Sequence, residues 1–506
     1  MSVCIRVDSS LQIGTGHLVR CRSLAREIVR RGTKVLFVCR ELPGHQMNLL
    51  QSEGFEVRVL AEEDLSSAAD EVRDAQDTLD AIAGEDVEHI VVDHYRLGTA
   101  WEVRVRQHAS KLIVIDDLAD RPHDCDILVD QNFFSDPSKR YRSLVPQEAK
   151  LLLGPAYAIV DRSYIELEPR VRTTVERVLV FFGGADNDNA TAIALEALST
   201  PELETLPLDV VVGASNPHRA SIEKQVAGRG NAQLHVQLPT LSSVIGGSDL
   251  AIGAGGSTTW ERLRSGLPSI VVSIADNQTE ISQELAHAGL IDYAGDLATI
   301  EPGELATRVT ALKHDLTRLK AMSENCQVLV DGFGAARVAE AFLPTDYRDL
   351  RMRLAKLTDA AIYFRWANDA TTRQHSLASE AIPWESHIAW FSQRIASDRC
   401  LMLLLLTGSG LPAGQIRFDL SAGGIYRLSY SLDSVVRGRG LAKHLVAMGI
   451  KQLAHRGNVE ILAEVKQANR ASIRVFEELG FRLETNLHEL RTYRTSTASK
   501  GMQQDD

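Results

Sequence analysis

A chain of 506 residues is too long for one ordinary domain: at roughly 150 residues per domain, three compact units are expected, each able to bury its own core. With 44% hydrophobic and 24% charged residues the composition is globular, which excludes a disordered majority. A formal net charge of -12 excludes a general basic surface, so no nucleic-acid partner is expected, and the ligands to look for are discrete anions held at local sites.

Cys4, Cys21, Cys39, Cys125, Cys326 and Cys400 are scattered without a CxxC pair. The opening MSVCIRVDSS has no basic leader followed by an apolar run, and no stretch reaches the roughly 18 apolar residues of a membrane span. Reduced thiols in the cytoplasm, with no membrane partner, are the expectation.

From residue 1 to about 165, short runs rich in β-branched residues (VCIRV, KVLFVC, HIVVD, KLIVIDD) alternate with helix-length amphipathic segments, the pattern of a parallel α/β domain. After Gly154 and Pro155 a second series, RVLVFFGG, LDVVVG, AQLHVQL, DLAIGAGG and PSIVVSI, predicts another such domain over residues 166–345. Around Pro344 the composition shifts, and a third α/β domain is expected over 350–494, with LMLLLLTG from Leu401 to Gly408 as a buried strand. The polar residues 495–506 are expected to form a flexible tail.

The segment RVDSSLQIGTGHLVRCRSLAREIVRRG reads as strand, glycine loop and helix. Gly14 and Gly16 let backbone approach a ligand, while Arg6, Asp8 and Ser9 fall at the carboxyl end of the strand, where open α/β sheets bind ligands. His17 falls at the helix N-terminus, where the dipole favours an anion and a neutral imidazole, suited to general-base work. A tight turn and a helix cap would account for the same residues without chemistry.

A second loop of the same kind lies in DLAIGAGGSTTWERLRSGLPSIVV. Gly253, Gly255 and Gly256 with Ser257 and Thr258 would aim amides and hydroxyls at a diphosphate, and Glu261 could accept from a ribose diol or be a solvated helix carboxylate. Asp186, Asn187 and Asp188 superficially suggest a metal site, but they follow a glycine turn at a helix start, so capping is expected there and no essential metal. In the last third, RGRGLA (Arg437, Gly438, Arg439, Gly440, Leu441, Ala442) sits between a strand and a helix, and ILAEVKQANRASIRVFEELGF gives a strand, Asn469 and a helix.

RxDSSxxIGTGHxxRCxxLA, the VVDHY run and the second glycine loop together resemble the UDP-2,4-diacetamido-2,4,6-trideoxy-β-L-altropyranose hydrolases of pseudaminic acid biosynthesis, over about residues 1–345. The resemblance implies two Rossmann-like domains in a glycosyltransferase-B-type arrangement. GGSTTWE, GLPSIVV and Asp276, Asn277 and Gln278, with Gly183 and Gly184 in FFGGADNDN, are similar to the UDP-sugar site of the transferase that adds N-acetylglucosamine to the peptidoglycan lipid precursor. It further implies that His17 activates water against the anomeric carbon with inversion and loss of UDP, without a metal, and that Asp93, His94 and Tyr95 line the sugar site; Asp93 could equally hold the strand end together.

RGRGLA fits the R/QxxGxG/A pyrophosphate loop of the GCN5-related N-acetyltransferases (GNAT), and residues 350–494 resemble members of that family acting on UDP-4-amino sugars. Acetyl-CoA as co-substrate, held by residues 437–442 and Asn469, is what this implies. Phe476 stands where many members carry a tyrosine acid, which leaves Tyr430 and Tyr493 as substitute hydroxyls and His375 and His387 as candidate bases, with packing the alternative for all four. The combined expectation is a bifunctional enzyme that acetylates a UDP-4-amino sugar and hydrolyses the product. The alternatives are a glycosyltransferase using a UDP-sugar donor, and a hydrolase joined to a non-catalytic acyl-CoA-binding domain.

Overall fold

The computed structural model describes residues 2–62, 67–168, 170–343 and 347–498, in two compact units, Met1–Phe342 and Leu343–Asp506. The expected tail from residue 499 onward lies outside the described residues; Thr495 and Ser496, also assigned to the tail, complete the last strand.

The first unit contains two parallel sheets. The first is built from β1 (Ser2–Val7), β2 (Lys34–Arg40), β3 (Glu56–Leu60), β4 (Val87–Asp93), β5 (Lys111–Ile115), β6 (Ile127–Asp130) and β7 (Lys150–Leu153), in the order β3-β2-β1-β4-β5-β6-β7. Strands such as β1 and β4 are apolar on both faces because helices cover both sides, and Cys4, Leu36, Ile90, Leu112 and Leu128 meet in one cluster with Trp101. The second sheet comprises β8 (Val178–Phe181), β9 (Leu208–Val212), β10 (Ala232–Val236), β11 (Leu250–Ala254), β12 (Ser269–Ser273) and β13 (Asp292–Asp296), ordered β10-β9-β8-β11-β12-β13.

Both orders reverse direction once, between β1 and β4 and between β8 and β11, and such switch points open a crevice at the carboxyl ends of the strands. The four loops that matter leave these four strands. The helix Gly334–Phe342 comes after the second sheet in sequence yet packs on the first sheet's helix Gly16–Arg30, where Arg31 Nη1 lies 2.5 Å from Glu340 Oε2.

The second unit is one mixed sheet of β14 (Arg351–Leu354), β15 (Cys400–Leu406), β16 (Pro412–Leu420), β17 (Tyr426–Leu432), β18 (Glu460–Lys466), β19 (Arg482–Leu487) and β20 (Leu490–Ser496), ordered β14-β15-β16-β17-β18-β20-β19. Its neighbours are antiparallel except β17 and β18, which are parallel. The apolar run at Leu401 is the buried interior strand β15, as its length and composition predict.

Candidate functional site

A cleft of about 1030 Å³ in the first unit is walled by the loops following β1, β4, β8 and β11. The first glycine loop closes with Gly14 at φ 77°, donating from its amide to Ser10 O, and delivers His17 to the second residue of the helix Gly16–Arg30. His17 Nδ1 lies 2.5 Å from Asp93 Oδ1, at the end of β4. Asp93 also accepts from Arg20 Nε at 2.6 Å and Nη2 at 2.7 Å, and from Cys21 Sγ.

Burial pushes the Asp93 carboxyl up, but the guanidinium of Arg20 and then His17 hold it well below the usual carboxylate range. An ionised Asp93 takes the Nδ1 proton of His17 as its donor, leaving Nε2 as the basic nitrogen. The arrangement is a base oriented by a buried carboxylate, itself fixed by a bidentate arginine. Asp93 thus ends β4 and orients the histidine, a role the sequence reading did not assign to it.

Tyr95 stacks edge-on against His17 with ring centroids 4.4 Å apart. Its hydroxyl is hydrogen-bonded to Asp117 and accepts from Asn277 Nδ2 at 3.1 Å, so one phenol joins the two halves of the unit. Burial and then the Asp117 charge push this phenol up. His94 accepts at Nδ1 from the Arg96 amide and turns Nε2 toward Asp8, 3.3 Å away, with burial drawing its imidazole down.

Arg6 and Ser9, expected to reach a ligand, serve the fold instead. Arg6 is fully buried and clamps Asp8 and Asp74, because a guanidinium without water needs two carboxylates, and Ser9 Oγ accepts from the Gln46 amide. Neither lines the cleft, whereas Asp8 does. Arg20 also lines the cleft and went unnoticed in the sequence, as did Asp117, which accepts from Arg20 Nη1 at 2.7 Å. Arg20 follows His17 by three residues on one helix face, a spacing that offered a signal; Asp117 offered none.

From the second half, Gly183 adopts φ 104°, and Gly184 backs onto Thr15 of the first loop. Gly213 was missed: a methyl there would meet Gly184 O at 2.3 Å, so β9 can pass under the glycine turn only without a side chain. A methyl at Gly16 would stand 3.3 Å from Ser257 Oγ, which puts the two glycine loops face to face, with Gly255, Gly256 and Thr258 on the same wall. Gln278 Oε1 accepts from the amides of Gly255 and Ile274, so it shapes the loop. Glu261 accepts from Tyr164 Oη at 2.8 Å, and burial pushes its carboxyl up to about 7 despite that bond. Asp186 accepts from the amides of Ala190 and Thr191 and so caps the next helix.

In the second unit, Gly438 and Gly440 adopt φ 77° and 82°, and the helix Leu441–Leu453 begins on Gly440. The loop thus turns first-turn amides, including those of Leu441 and Ala442, toward one side, a cradle that suits a pyrophosphate. Arg437 is engaged elsewhere, on Leu432 O and Asp369, while Arg439 Nη1 lies 3.2 Å from Tyr347 Oη. Asn469 caps the helix Arg470–Glu478 by accepting from the Ser472 amide. His387 is buried among Trp384, Trp390 and Phe391 and donates from Nε2 to Ala360 O, which makes it a packing residue. Tyr493 donates to Glu477, and His375 ends a helix half-buried.

Residues 349–482 match the family model for the acetyltransferase (GNAT) domain. The second unit carries a GNAT acetyltransferase domain. The N-terminal part is homologous to the UDP-2,4-diacetamido-2,4,6-trideoxy-beta-L-altropyranose hydrolase of Campylobacter jejuni, at 24% identity over 289 residues, 57% of this chain and 97% of the relative. An uncharacterized protein of Methanocaldococcus jannaschii is 21% identical over 95% of this chain and 97% of its own length, so the similarity runs through both units. The spore coat polysaccharide biosynthesis protein SpsG of Bacillus subtilis is 23% identical over 39% of this chain and 60% of its own length. Among solved structures, MurG of Acinetobacter baumannii covers 67% of this chain and 99% of its own, at 13% identity and a TM-score of 0.47. Spermidine N-acetyltransferase of Vibrio cholerae covers 29% and 94%, at 12% identity and a TM-score of 0.27. No helix among the described residues is long and apolar enough to cross a membrane.

Proposed function

We propose that the first unit hydrolyses a UDP-linked diacetamido sugar to UDP and free sugar, and that the second acetylates the 4-amino group of its UDP-4-amino-sugar precursor with acetyl-CoA. The observation that carries the reading is the position of His17 on the wall shared by the first and second glycine loops, with Nδ1 held by Asp93. In this account Nε2 takes a proton from water as the water attacks the anomeric carbon. The C–O bond to the diphosphate breaks with inversion, and the amides and hydroxyls of residues 255–258 receive the charge that develops on UDP. Tyr95, His94 and Asp117 face the sugar, Glu261 the ribose, and the chemistry needs no metal.

Acetyl-CoA would be held by the amides of residues 438–442, where Gly438 and Gly440 turn the loop into the helix Leu441–Leu453. The two activities act in sequence on one nucleotide sugar, which gives their fusion a chemical reason, and the similarity of the archaeal relative along its whole length fits a constant pairing. The test is product analysis. Incubation with the diacetamido UDP-sugar in ¹⁸O water should yield free sugar labelled at the anomeric oxygen and unlabelled UDP. Sugar found only on an added acceptor would favour a glycosyltransferase.

A further inference from the structure

The helix Gly16–Arg30 presents two stripes of side chains. His17 and Arg20 turn toward Asp93 at the end of β4. Thr15, the N-cap, falls with Val19, Arg22 and Arg26 on a second stripe, at i, i+4, i+7 and i+11. That stripe meets the other half of the first unit. A methyl on Gly184 would stand 3.4 Å from Thr15 Oγ1, Arg22 Nη2 donates to Pro239 O at 3.0 Å, and Arg26 pairs with Asp161, between β7 and β8.

Arg22 is 4% exposed and lines the cleft. Arg6 and Arg20, buried like it, each clamp two carboxylates. Arg22 has no such pair. Glu53 Oε1 lies 3.5 Å from its Nη1, but both oxygens of that carboxylate already accept from Arg26, at 2.6 and 2.8 Å. Its Nε meets no acceptor among the described residues. Burial and then the Arg26 charge draw the guanidinium down. A buried donor left unmet is costly, so Arg22 has hydrogen bonds to offer a ligand of the cleft.

Glu261 lines the same cleft from the second half, in the first turn of the helix Thr258–Arg264, and Tyr164 occupies only its Oε2. The charges of Arg22 and Glu261 act on each other, yet among the described residues no ion pair joins them. One brings N–H donors from the first half and the other a carboxyl oxygen from the second. A vicinal diol suits both, because each hydroxyl accepts at oxygen while donating its own proton. A phosphate there would meet a like charge at Glu261. We infer that Arg22 donates to the ribose diol of the nucleotide while Glu261 accepts from it, so that the first half of the unit selects a ribonucleotide and the diol is held across both halves. This rests on the nucleotide reading of the first unit, which already turns Glu261 to the ribose; Arg22 is the addition.

Calorimetry on the full-length chain compares UDP with 2′-deoxy-UDP for wild type, Arg22→Gln and Arg22→Lys. Wild type should prefer UDP by about tenfold or more, since a missing hydroxyl strands a buried donor and a buried acceptor. Arg22→Gln should weaken UDP and leave 2′-deoxy-UDP nearly unchanged, so that the preference falls by at least about threefold. Arg22→Lys keeps the charge but not the fork and should lower the preference too, which serves if the glutamine variant folds poorly. The preference for UDP over CDP should stay as in wild type. A 2′-hydroxyl preference unchanged in both variants, as when a structural defect weakens both ligands equally, overturns the assignment, and so does a changed preference between UDP and CDP. No binding of UDP by the wild type would overturn the nucleotide reading and this inference with it. UDP bound with an Arg22-dependent preference, but no sugar released, would count against the hydrolase and not against Arg22.

Discussion

His17 Nδ1 and Asp93 Oδ1 meet at 2.5 Å although 76 residues separate them, because His17 starts the helix that follows β1 and Asp93 ends β4, and these two strands flank the switch point of the first sheet. Their pairing makes Asp93→Asn an informative change. An amide cannot accept from both Arg20 and the Nδ1–H at full strength, so the imidazole loses the partner that fixes its tautomer. UDP release is expected to fall by about 10²- to 10⁴-fold. Urea denaturation should show a loss of about 3 kcal/mol, since a buried guanidinium gives up its anionic partner.

Gly213→Ala tests the contact between β9 and the glycine turn after β8. The added methyl would stand 2.3 Å from Gly184 O, a backbone atom that cannot rotate away. The turn must shift, at a cost of about 1–3 kcal/mol in stability. UDP affinity measured by calorimetry should drop at least about tenfold if residues 183–184 line the nucleotide, and stay unchanged if they do not.

His123 is buried between Glu102, 2.6 Å from its Nδ1, and Asp116, 3.8 Å from its Nε2. Burial alone would lower its imidazole, but the two carboxylates raise it from 6.5 to about 9. Its contribution to stability is thus fully present below pH 6.5 and is lost as pH rises through about 9. Chemical denaturation of His123→Phe should show a larger deficit at pH 6 than at pH 9.5; a deficit independent of pH would mean that the imidazolium is not what the carboxylates hold.

Glu261 has the opposite sign. Its carboxyl is raised by burial from 4.5 to about 7, so between these values the folded chain holds a proton that the unfolded chain has released. Stability falls as pH rises across that window. Glu261→Gln should be more stable than wild type at pH 8 and equal to it near pH 4, and the proposal that Glu261 faces the ribose predicts a weaker UDP affinity for the variant.

Much of this was legible locally. The glycine loops, the helix start at His17, the strands β1, β2, β4, β5, β8, β9, β10, β11, β12, β15, β17 and β18, and the capping role of Asp186 depend on residues within a few positions of each other, where period and turn chemistry act directly. What escaped depends on contacts closed by the tertiary fold. Arg6 reads as a strand-end ligand group until Asp74, 68 residues on, is seen to neutralise it, and Gly213 looks like an ordinary strand end until Gly184 is placed beneath it. Arg437 matches the pyrophosphate motif, yet its guanidinium is drawn to Asp369 in a helix-capping loop that the motif does not include.

The most direct test of the account supplies acetyl-CoA and the UDP-4-amino sugar to wild type and His17→Ala, and follows free thiol, UDP and sugar by mass spectrometry. The account predicts thiol, UDP and free diacetamido sugar from the wild type, and thiol with accumulated acetylated UDP-sugar from the variant. UDP released at the wild-type rate by His17→Ala would contradict it.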